Sequence, residues 1–357
     1  MSTPPPDQAT QFAVSHIPLD ATRFEATSDG EPPPPEDVEL PPGTRVGEYE
    51  VVRKIGEGGM GMVFEAVHPL IGRKVAIKVI NAVAGSTSGA AARFLQEARA
   101  ASMVRHRNIV DVFAFGQLRD GRSYLVMEFL EGETLSSYLY RRGPLSFKQG
   151  LAIMEGVLAG LGTAHAKGVV HRDLKPDNIW ILPPDDDRAP DAAEVVDPLR
   201  IKLLDFGIAK LTAGDGQSLV QTRAGAPIGT PWYMSPEQCR GDARIDGRSD
   251  IYALGVILYE MFSGQVPFRA ENYIEVLSAH FNTPPPSLSD VIGMPPDLEE
   301  IVMTALAKDP ARRYQNVAEL RAALVSCDAA AEWTPLGHLD HAAPSALADP
   351  SAATYAP

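Results

Sequence analysis

Cysteine is scarce in this chain: Cys239 and Cys327 are the only two among 357 residues. A disulfide framework therefore cannot hold the fold together, and a reducing compartment is expected. Long apolar runs are also lacking, because the longest with helical character, 251–262, is far short of the roughly 20 residues that cross a bilayer. The first ten residues have neither a basic start nor an apolar stretch, so no secretory signal is predicted. These absences predict a soluble, cytoplasmic protein that does not contact a membrane.

Positive charge is in short supply as well. The chain has 32 Lys and Arg against 46 Asp and Glu, a formal net charge of -14. Nucleic acids and anionic membranes bind clustered Lys and Arg, so neither is expected as a partner, and a basic or neutral partner fits better. Hydrophobic residues make up 45% of the chain, enough for the core of one large two-lobed domain or of two ordinary domains.

Proline and acidic residues set the ends of the chain apart from its middle. Residues 1–44 contain PPP and PPPP runs and more acids than bases. Such a segment cannot bury enough apolar surface to offset its chain entropy. Residues 327–357 are mostly Ala, Pro and scattered polar residues without a sustained period. We therefore predict disordered tails on either side of a folded part at 45–326.

The folded part begins as a sheet and continues as helices. Short strands rich in Val, Ile, Phe and Tyr are predicted between residues 49 and 127, with the sequences YEVVRKI, MVFEAV, KVAIKVI and YLVMEF. One amphipathic helix, 91–104, interrupts them. Further along, helices are predicted at 151–167, 251–262, 298–307 and 317–325. A sheet-rich lobe thus precedes a helix-rich lobe, an α+β organisation.

A Pro- and Asp-rich stretch interrupts the helical part. Residues 183–198, PPDDDRAPDAAEVVDP, separate two short apolar strands at 179–182 and 201–204. Pro and Asp favour turns over strand interiors. We predict an exposed insertion in a hairpin.

A glycine-rich run joins the first two long strands. Residues 56–63, GEGGMGMV, fit G-x-G-x-x-G-x-V, in which Gly56, Gly58 and Gly61 let the backbone close over a polyphosphate and present N–H groups to it. The run lies between two strands, which disfavours a dinucleotide-binding βαβ unit. Glycine-rich hairpin turns are common, so this run alone leaves a plain turn as the alternative.

A lysine lies on the apolar face of the third long strand. In the sequence VAIK, Lys78 points to the same side as Ala76 and Ile80. A charge on such a face is costly unless it is paired, and Glu97 on the following helix is the natural counter-ion. The alternative is that Lys78 lies on a solvated edge and Glu97 on a solvated helix face.

The string HRDLKPDN at 171–178, followed by DFG at 205–207, carries the chemistry. Phosphoryl transfer needs a carboxylate to accept a hydroxyl proton, oxygen ligands for Mg²⁺, and cations that neutralise developing charge. In order and spacing these motifs resemble the eukaryotic-type protein kinase family, in its bacterial-like Ser/Thr branch. The resemblance runs from about Tyr49 to Val325. It implies a two-lobed fold: an antiparallel-sheet N-lobe with one helix at 45–130 and a mainly helical C-lobe at 131–326.

The resemblance implies a role for each motif residue. Asp173 is the expected catalytic base, and Asn178 and Asp205 are the expected ligands of Mg²⁺, with Mn²⁺ as an alternative. Lys78, held by Glu97, is expected to contact the α- and β-phosphates of ATP.

The nucleotide site implied by the resemblance includes the glycine run, the gatekeeper Met127, the hinge that follows it, and the residues above and below the purine. These residues are Ile55, Gly56, Gly58, Gly61, Val63, Ala76, Met127, Glu128, Leu130 and Trp180. Trp180 departs from the family, which usually has Leu or Met there. We expect its ring either to narrow the pocket or to stack on the purine.

Two residues indicate that the substrate is Ser or Thr. Lys175 resembles the phosphate-contacting lysine of Ser/Thr kinases, and Thr230, in GTPWYMSPE at 229–237, is expected to bond toward Asp173 and Lys175. Phosphorylation of the segment before it is expected to activate the enzyme, with Thr222 as first and Ser218 as second candidate. Such a phosphate would pair with Arg172 and Lys210, and self-association would allow it to be added in trans.

Two structural roles also follow from the resemblance. Glu237 is expected to form a buried ion pair with Arg313. Asp250 resembles the residue that braces the catalytic-loop backbone; alternatively it is a plain helix N-cap, and both readings are compatible.

Two other classes of protein share parts of this pattern. A pseudokinase would lack at least one of the five residues with separate tasks, which are Lys78, Glu97, Asp173, Asn178 and Asp205. A small-molecule phosphotransferase of kinase-like fold would lack the activation segment and the paired Arg. The sequence therefore predicts a Ser/Thr protein kinase that transfers the γ-phosphoryl group of ATP to protein substrates in bacterial-type signalling.

Overall fold

A computed structural model of the chain describes residues 39–58, 61–80, 104–184, 196–206, 231–242, 244–270, 272–328 and 331–335. All of them fall within one unit of the chain, Pro34–Pro357. The predicted helix at 91–104 and most of the insertion at 183–198 lie outside the described residues.

The N-lobe is an antiparallel sheet of six strands in the spatial order β1-β2-β3-β4-β6-β5. Its strands are β1 (Arg45–Val46), β2 (Tyr49–Gly58), β3 (Gly61–Val67), β4 (Lys74–Ile80), β5 (Val112–Gln117) and β6 (Ser123–Glu128). The four long strands that the sequence predicts are confirmed. The other two were not predicted, because β1 has only two residues and β5 is half-exposed and contains a glycine.

Every second side chain of β4 lies in the same apolar cluster, which explains why these residues form a strand of the sheet. Val75, Ile77 and Val79 are buried in one apolar cluster with Phe64 and Val126. Successive side chains point to opposite faces, so Lys78 leaves this cluster and faces the other side of the sheet. The strand thereby carries the lysine to the surface that meets the C-lobe.

The C-lobe contains a small antiparallel sheet and eight helices among the described residues. The strands, in the order β7-β8-β9, are β7 (Glu133–Thr134), β8 (Ile179–Ile181) and β9 (Ile201–Leu203). The helices are α1 (Leu135–Arg142), α2 (Phe147–Ala166), α3 (Pro236–Arg240), α4 (Gly247–Ser263), α5 (Tyr273–Asn282), α6 (Leu288–Ile292), α7 (Pro296–Ala305) and α8 (Val317–Val325). The predicted hairpin that brackets the insertion is confirmed as β8 and β9.

Helix α4 is the centre of the C-lobe. It is buried on every side from Ser249 to Tyr259, and it packs against α2 and α7. A helix that is apolar all round belongs in a protein interior. Asp246 caps its N-terminus by accepting a hydrogen bond from the backbone N–H of Arg248. Asp250 is the fourth residue of the helix, in its first turn, so its predicted alternative role as N-cap is wrong.

Four predicted helices are confirmed, with small differences at their ends. Helix α2 begins at Phe147 and not at residue 151, because Ser146 and Gln149 form a capping box before it. The shorter helices α1, α3, α5 and α6 were not predicted, since five to ten residues carry too few turns for a clear period.

Both predicted domain boundaries need correction. Gly43 and Thr44 exchange backbone hydrogen bonds with Val51, so the ordered N-lobe starts before residue 45. At the other end Cys327 is buried in the C-lobe core. Trp333 packs edge-on against Phe262, with ring centroids 5.7 Å apart. The ordered C-lobe therefore continues beyond residue 326, while residues 1–38 and 336–357 lie outside the described residues.

A buried ion pair attaches α3 to the C-lobe, as the sequence predicts. Both guanidinium Nη atoms of Arg313 lie 2.8 Å from the Glu237 carboxylate oxygens. The same guanidinium donates to the backbone carbonyls of Ala307, Arg248 and Lys308. Burial raises the pKa of Glu237, but the hydrogen bonds and charge of Arg313 outweigh it and lower the pKa. All five N–H donors of the guanidinium thus have an acceptor.

Replacing Arg313 by Met leaves the Glu237 carboxylate buried without its partner. We expect Arg313→Met to lower the free energy of unfolding by about 3–5 kcal/mol. Arg321→Met is the matched control, because it breaks an exposed pair with Glu155 and should cost only about 0–1 kcal/mol. Urea titrations of both variants measure the difference. Equal losses would contradict the assigned role of the buried pair.

Candidate active site

A cavity of about 870 Å³ lies between the N-lobe sheet and the small C-lobe sheet. Nine of the predicted nucleotide-site residues line it: Ile55, Val63, Ala76, Lys78, Met127, Glu128, Leu130, Trp180 and Asp205. The three predicted glycines lie in the β2–β3 hairpin, where Gly56 pairs with Val63 and Gly58 with Gly61. The predicted nucleotide-site residues thus come together around one cavity, and their role in binding stays a prediction.

Gly61, the first residue of β3, lies very close to the backbone of β4. Its φ is 149°, and a Cβ built there would lie 2.0 Å from the carbonyl oxygen of Val79. Only glycine fits so close an approach of two backbones. Gly61 is therefore held next to the strand that carries Lys78.

Lys78 reaches across to the C-lobe. Its Nζ lies 2.5 Å from Oδ2 of Asp205, and the lysine is mostly buried. The predicted partner Glu97 lies outside the described residues. An amine from the N-lobe and a carboxylate from the C-lobe thus meet at one wall of the cavity.

Asn178 holds the proposed base in place. Its side-chain amide donates to the backbone carbonyl of Asp173 at 2.7 Å and to the Asp173 carboxylate at 3.3 Å. The backbone carbonyl of Asn178 accepts a hydrogen bond from the N–H of Leu204, the residue before Asp205. Asp173, Asn178 and Asp205 therefore belong to one connected network.

The catalytic loop, residues 171–178, is anchored by Asp250 on α4, which is only 1% exposed. Its carboxylate accepts hydrogen bonds from the backbone N–H groups of His171 at 2.8 Å and Arg172 at 2.9 Å. The Nε2 atom of His165 lies 2.7 Å from the same carboxylate. The predicted bracing role of Asp250 agrees with this geometry. His165 was missed, because nothing in the local sequence links it to Asp250.

His171 fixes the segment that presents Asp205. Its Nε2 lies 2.8 Å from the carbonyl oxygen of Leu204, and its ring packs on Phe206 with centroids 4.7 Å apart. Phe206 is buried in the C-lobe core, and Asp205 has a positive φ of 47°. Such a backbone is strained for a residue with a Cβ and is held by these contacts. The Asp205 carboxylate is therefore directed toward Lys78.

The hinge residue Glu128 is tied to the C-lobe by Lys202, a side chain that the sequence did not single out. Glu128 accepts hydrogen bonds from Nζ of Lys202 on β9 at 2.5 Å and from the backbone N–H of Asp111 at 2.8 Å. The carboxylate of Glu128 thus joins β6, the start of β5 and the C-lobe sheet.

Trp180 lies below the hinge. The residue is 4% exposed, and its indole Nε1 donates to the carbonyl of Glu131 at 2.9 Å. This bond fixes the ring along the cavity wall. The large side chain is therefore accommodated by the hinge backbone, which sequence reasoning had no means to foresee.

Besides Asp250, a second acidic residue, Glu260, interacts with the catalytic loop. Glu260 accepts a hydrogen bond of 2.6 Å from the hydroxyl of Tyr233. Burial raises the pKa of Glu260 to about 7; the hydrogen bond from Tyr233 opposes this rise, and the negative charge of Asp177 adds to it. A cation that approached this carboxyl would lower its pKa, so the group would then be ionised at neutral pH.

The site offers two side chains as metal ligands, which suits a metal ion that takes most of its ligands from phosphate. Among the described residues no three His, Cys, Asp or Glu side chains assemble into a metal site. Asn178 and Asp205 offer one amide oxygen and one carboxylate. Mg²⁺ is commonly bound in this way, through one or two side chains together with substrate phosphates and water.

Several predicted residues cannot be placed. The counter-ion Glu97, the basic Lys210, the candidate phosphorylation sites Ser218 and Thr222, and Thr230 lie outside the described residues. The roles assigned to them from the sequence stay predictions.

The sequence pattern of the protein kinase domain family matches residues 49–323. The chain belongs to the protein kinase family. It is 42% identical over 283 residues to the serine/threonine-protein kinase Pkn1 of Myxococcus xanthus, covering 79% of this chain and 38% of that protein. It is 40% identical over 278 residues to PknA of Mycobacterium tuberculosis, covering 76% of this chain and 59% of that protein. The chain thus spans less than two thirds of the length of these relatives.

Solved kinase structures confirm the fold. The PknI kinase domain of Mycobacterium tuberculosis superposes with a TM-score of 0.61 at 27% sequence identity, covering 80% of this chain and 99% of that one. A double mutant of the same domain gives a TM-score of 0.63 at 26% identity. The predicted two-lobed kinase fold is therefore correct. In the part of the chain that the structure describes, no helix is long and apolar enough to cross a membrane.

Trp180 gives this kinase domain an internal probe of its cavity. We expect ATP with Mg²⁺ to change the tryptophan fluorescence, because a purine in the cavity would lie against the indole. The change should disappear in Trp180→Phe. It should persist in Trp333→Phe, the control, because Trp333 contacts Phe262 and the carbonyl of Gly293 outside the cavity. An undiminished change in Trp180→Phe would contradict the placement of Trp180.

Proposed function

We propose that this chain is an active ATP-dependent Ser/Thr protein kinase. Two contacts carry the proposal: Asn178 holds Asp173 through two hydrogen bonds, and Lys78 meets Asp205 at the wall of the cavity. Relatives that are 40% and 42% identical are named serine/threonine-protein kinases, which supports it.

The cavity suits an adenine nucleotide. Its volume of about 870 Å³ lies within the range of about 300–1,000 Å³ of ligand sites. Val63 and Ala76 from the N-lobe and Trp180 from the C-lobe provide apolar walls for a purine. Lys78 supplies a positive charge for the α- and β-phosphates, since its amine points into the same cavity.

The chemistry is a transfer of the γ-phosphoryl group to a hydroxyl. Asp173 accepts the hydroxyl proton while the hydroxyl oxygen bonds to phosphorus and the bond to the β-phosphate oxygen breaks, leaving ADP. Asn178 keeps the Asp173 carboxylate oriented through the two hydrogen bonds. Mg²⁺, held by Asn178 and Asp205, would neutralise phosphate charge, and Mn²⁺ is the alternative ion. Lys175 adds a cation near the transferred group.

The proposed substrates are proteins with an accessible Ser or Thr. Lys175, two residues after Asp173, favours these hydroxyls by its resemblance to Ser/Thr kinases. The acidic pair of Asp177 and Glu260 and the net charge of -14 favour basic or neutral segments. We further propose a cytoplasmic location, activation by phosphorylation of Thr222 or Ser218, and self-association that permits transfer in trans.

Transfer of radiolabelled γ-phosphate to a general protein substrate tests the proposal. We expect the native protein to label both the substrate and itself on Ser and Thr, and Asp173→Asn to reduce labelling by roughly 10²-fold or more. Asp290→Asn, the same exchange at an exposed position on α6, should leave labelling unchanged. Equal labelling by the native protein and Asp173→Asn would overturn the assigned base, and no labelling by the native protein would overturn the function.

A further inference from the structure

The residue before the proposed base has an unusual backbone. Arg172 has a φ of 62°, in the left-handed region that residues with a Cβ rarely adopt. Such a conformation persists only where surrounding contacts determine it. Because Asp173 follows directly, the direction of the peptide that joins the two residues sets where the Asp173 carboxylate lies.

Both backbone polar groups of Arg172 are held, and by different helices. Its N–H donates to Oδ1 of Asp250 on α4 at 2.9 Å. Its carbonyl accepts a hydrogen bond of 2.6 Å from the side-chain Nε2 of Gln238 on α3. The sequence predicted no role for Gln238 in this second contact.

The side chain of Gln238 has one well-defined orientation. Its Oε1 accepts a hydrogen bond of 3.0 Å from the backbone N–H of Ser235, as part of the capping box of α3. Its Nε2 is thereby left to face Arg172. The partner of Oε1 is a donor and the partner of Nε2 is an acceptor. Rotating the amide by a half turn would therefore break both hydrogen bonds. The residue is 7% exposed, so water offers little replacement.

The two helices that hold Arg172 are themselves joined. The hydroxyls of Ser235, before α3, and Ser249, on α4, lie 2.9 Å apart in a buried contact. Asp250 is the next residue of α4. Helix α3 begins inside the motif GTPWYMSPE at 229–237, and Gln238 is the next residue after that motif. Gln238 therefore links the end of the motif directly to the catalytic loop.

We propose that Gln238 is a positioning residue for phosphoryl transfer, acting through the carbonyl of Arg172 to orient Asp173. This inference rests on the proposed kinase function. It also explains why the sequence has Ser-Pro-Glu-Gln here: Ser235 starts the helix, and Gln238 closes the capping box while it donates to the catalytic loop.

Two substitutions separate positioning from simple stability. Gln238→Met keeps the length of the side chain but removes both amide groups. Gln149→Met, the matched control, makes the same exchange in the Ser-x-x-Gln capping box of α2, where the amide oxygen of Gln149 accepts from the backbone N–H of Ser146. We expect Gln238→Met to lower kcat by roughly 10-fold to 100-fold with an unchanged KM for ATP. Gln149→Met should keep kcat while its unfolding temperature falls.

A third substitution adds a pH dependence that a structural role would not produce. In Gln238→Glu the ionised carboxylate has no hydrogen to donate and repels the carbonyl of Arg172. When protonated, the introduced carboxyl can again accept from Ser235 and donate to Arg172. Burial favours the protonated form. The ratio of kcat in Gln238→Glu to native kcat should therefore rise as the pH is lowered from 8 toward 6.

Hydrogen–deuterium exchange gives a readout that does not depend on activity. We expect faster exchange in a peptide covering residues 171–178 for Gln238→Met, and native exchange there for Gln149→Met. Equal kcat values in these two variants, a pH-independent deficit in Gln238→Glu, or unchanged exchange in Gln238→Met would each overturn the proposal. An inactive native protein would refute the kinase function, and the exchange measurement would still decide the role of Gln238.

Discussion

One buried carboxylate, that of Asp250, is the interaction on which the arrangement of the active site depends. A charge removed from water is costly unless several hydrogen bonds satisfy it. Asp250 receives them from His165 and from the backbone N–H groups of His171 and Arg172, and it lies in the first turn of α4, where the helix dipole favours a negative charge. The catalytic loop thus takes its shape by satisfying a charge that the C-lobe core has buried.

The same interaction connects the fold to the chemistry. Helix α4 is held in the middle of the C-lobe by apolar contacts on all sides, so Asp250 has a fixed position. From that position it orients His171, which bonds to the carbonyl of Leu204 and packs on Phe206, and Arg172, which precedes the proposed base. The pair of Glu237 and Arg313 anchors α3, from which Gln238 reaches the same loop. Core packing therefore determines where the reacting groups lie.

Much of this could be predicted from the sequence, because phosphoryl transfer needs particular groups in short, ordered motifs. The strand with Lys78, the loop with Asp173 and Asn178, and the cavity between the lobes all follow from local patterns and family resemblance. Contacts between distant segments followed only where the family resemblance supplied them, as for Glu237 and Arg313. Others did not: His165 and Asp250 are 85 residues apart, and Arg172 and Gln238 are 66 apart. Periodicity tells which face of a helix is buried but not which polar atom it meets. The single aromatic Trp333 likewise gave no pattern from which its packing could be foreseen.

The central claim is that Asp250 holds the catalytic loop in its active shape, and kcat of Asp250→Asn tests it most directly. Asparagine keeps one acceptor oxygen but replaces the other with a donor that faces backbone N–H groups. We predict that kcat falls by roughly 10²-fold while ADP still binds. Asp246→Asn, at the exposed cap of the same helix, should keep nearly native kcat. Equal kcat values in the two variants would contradict the account.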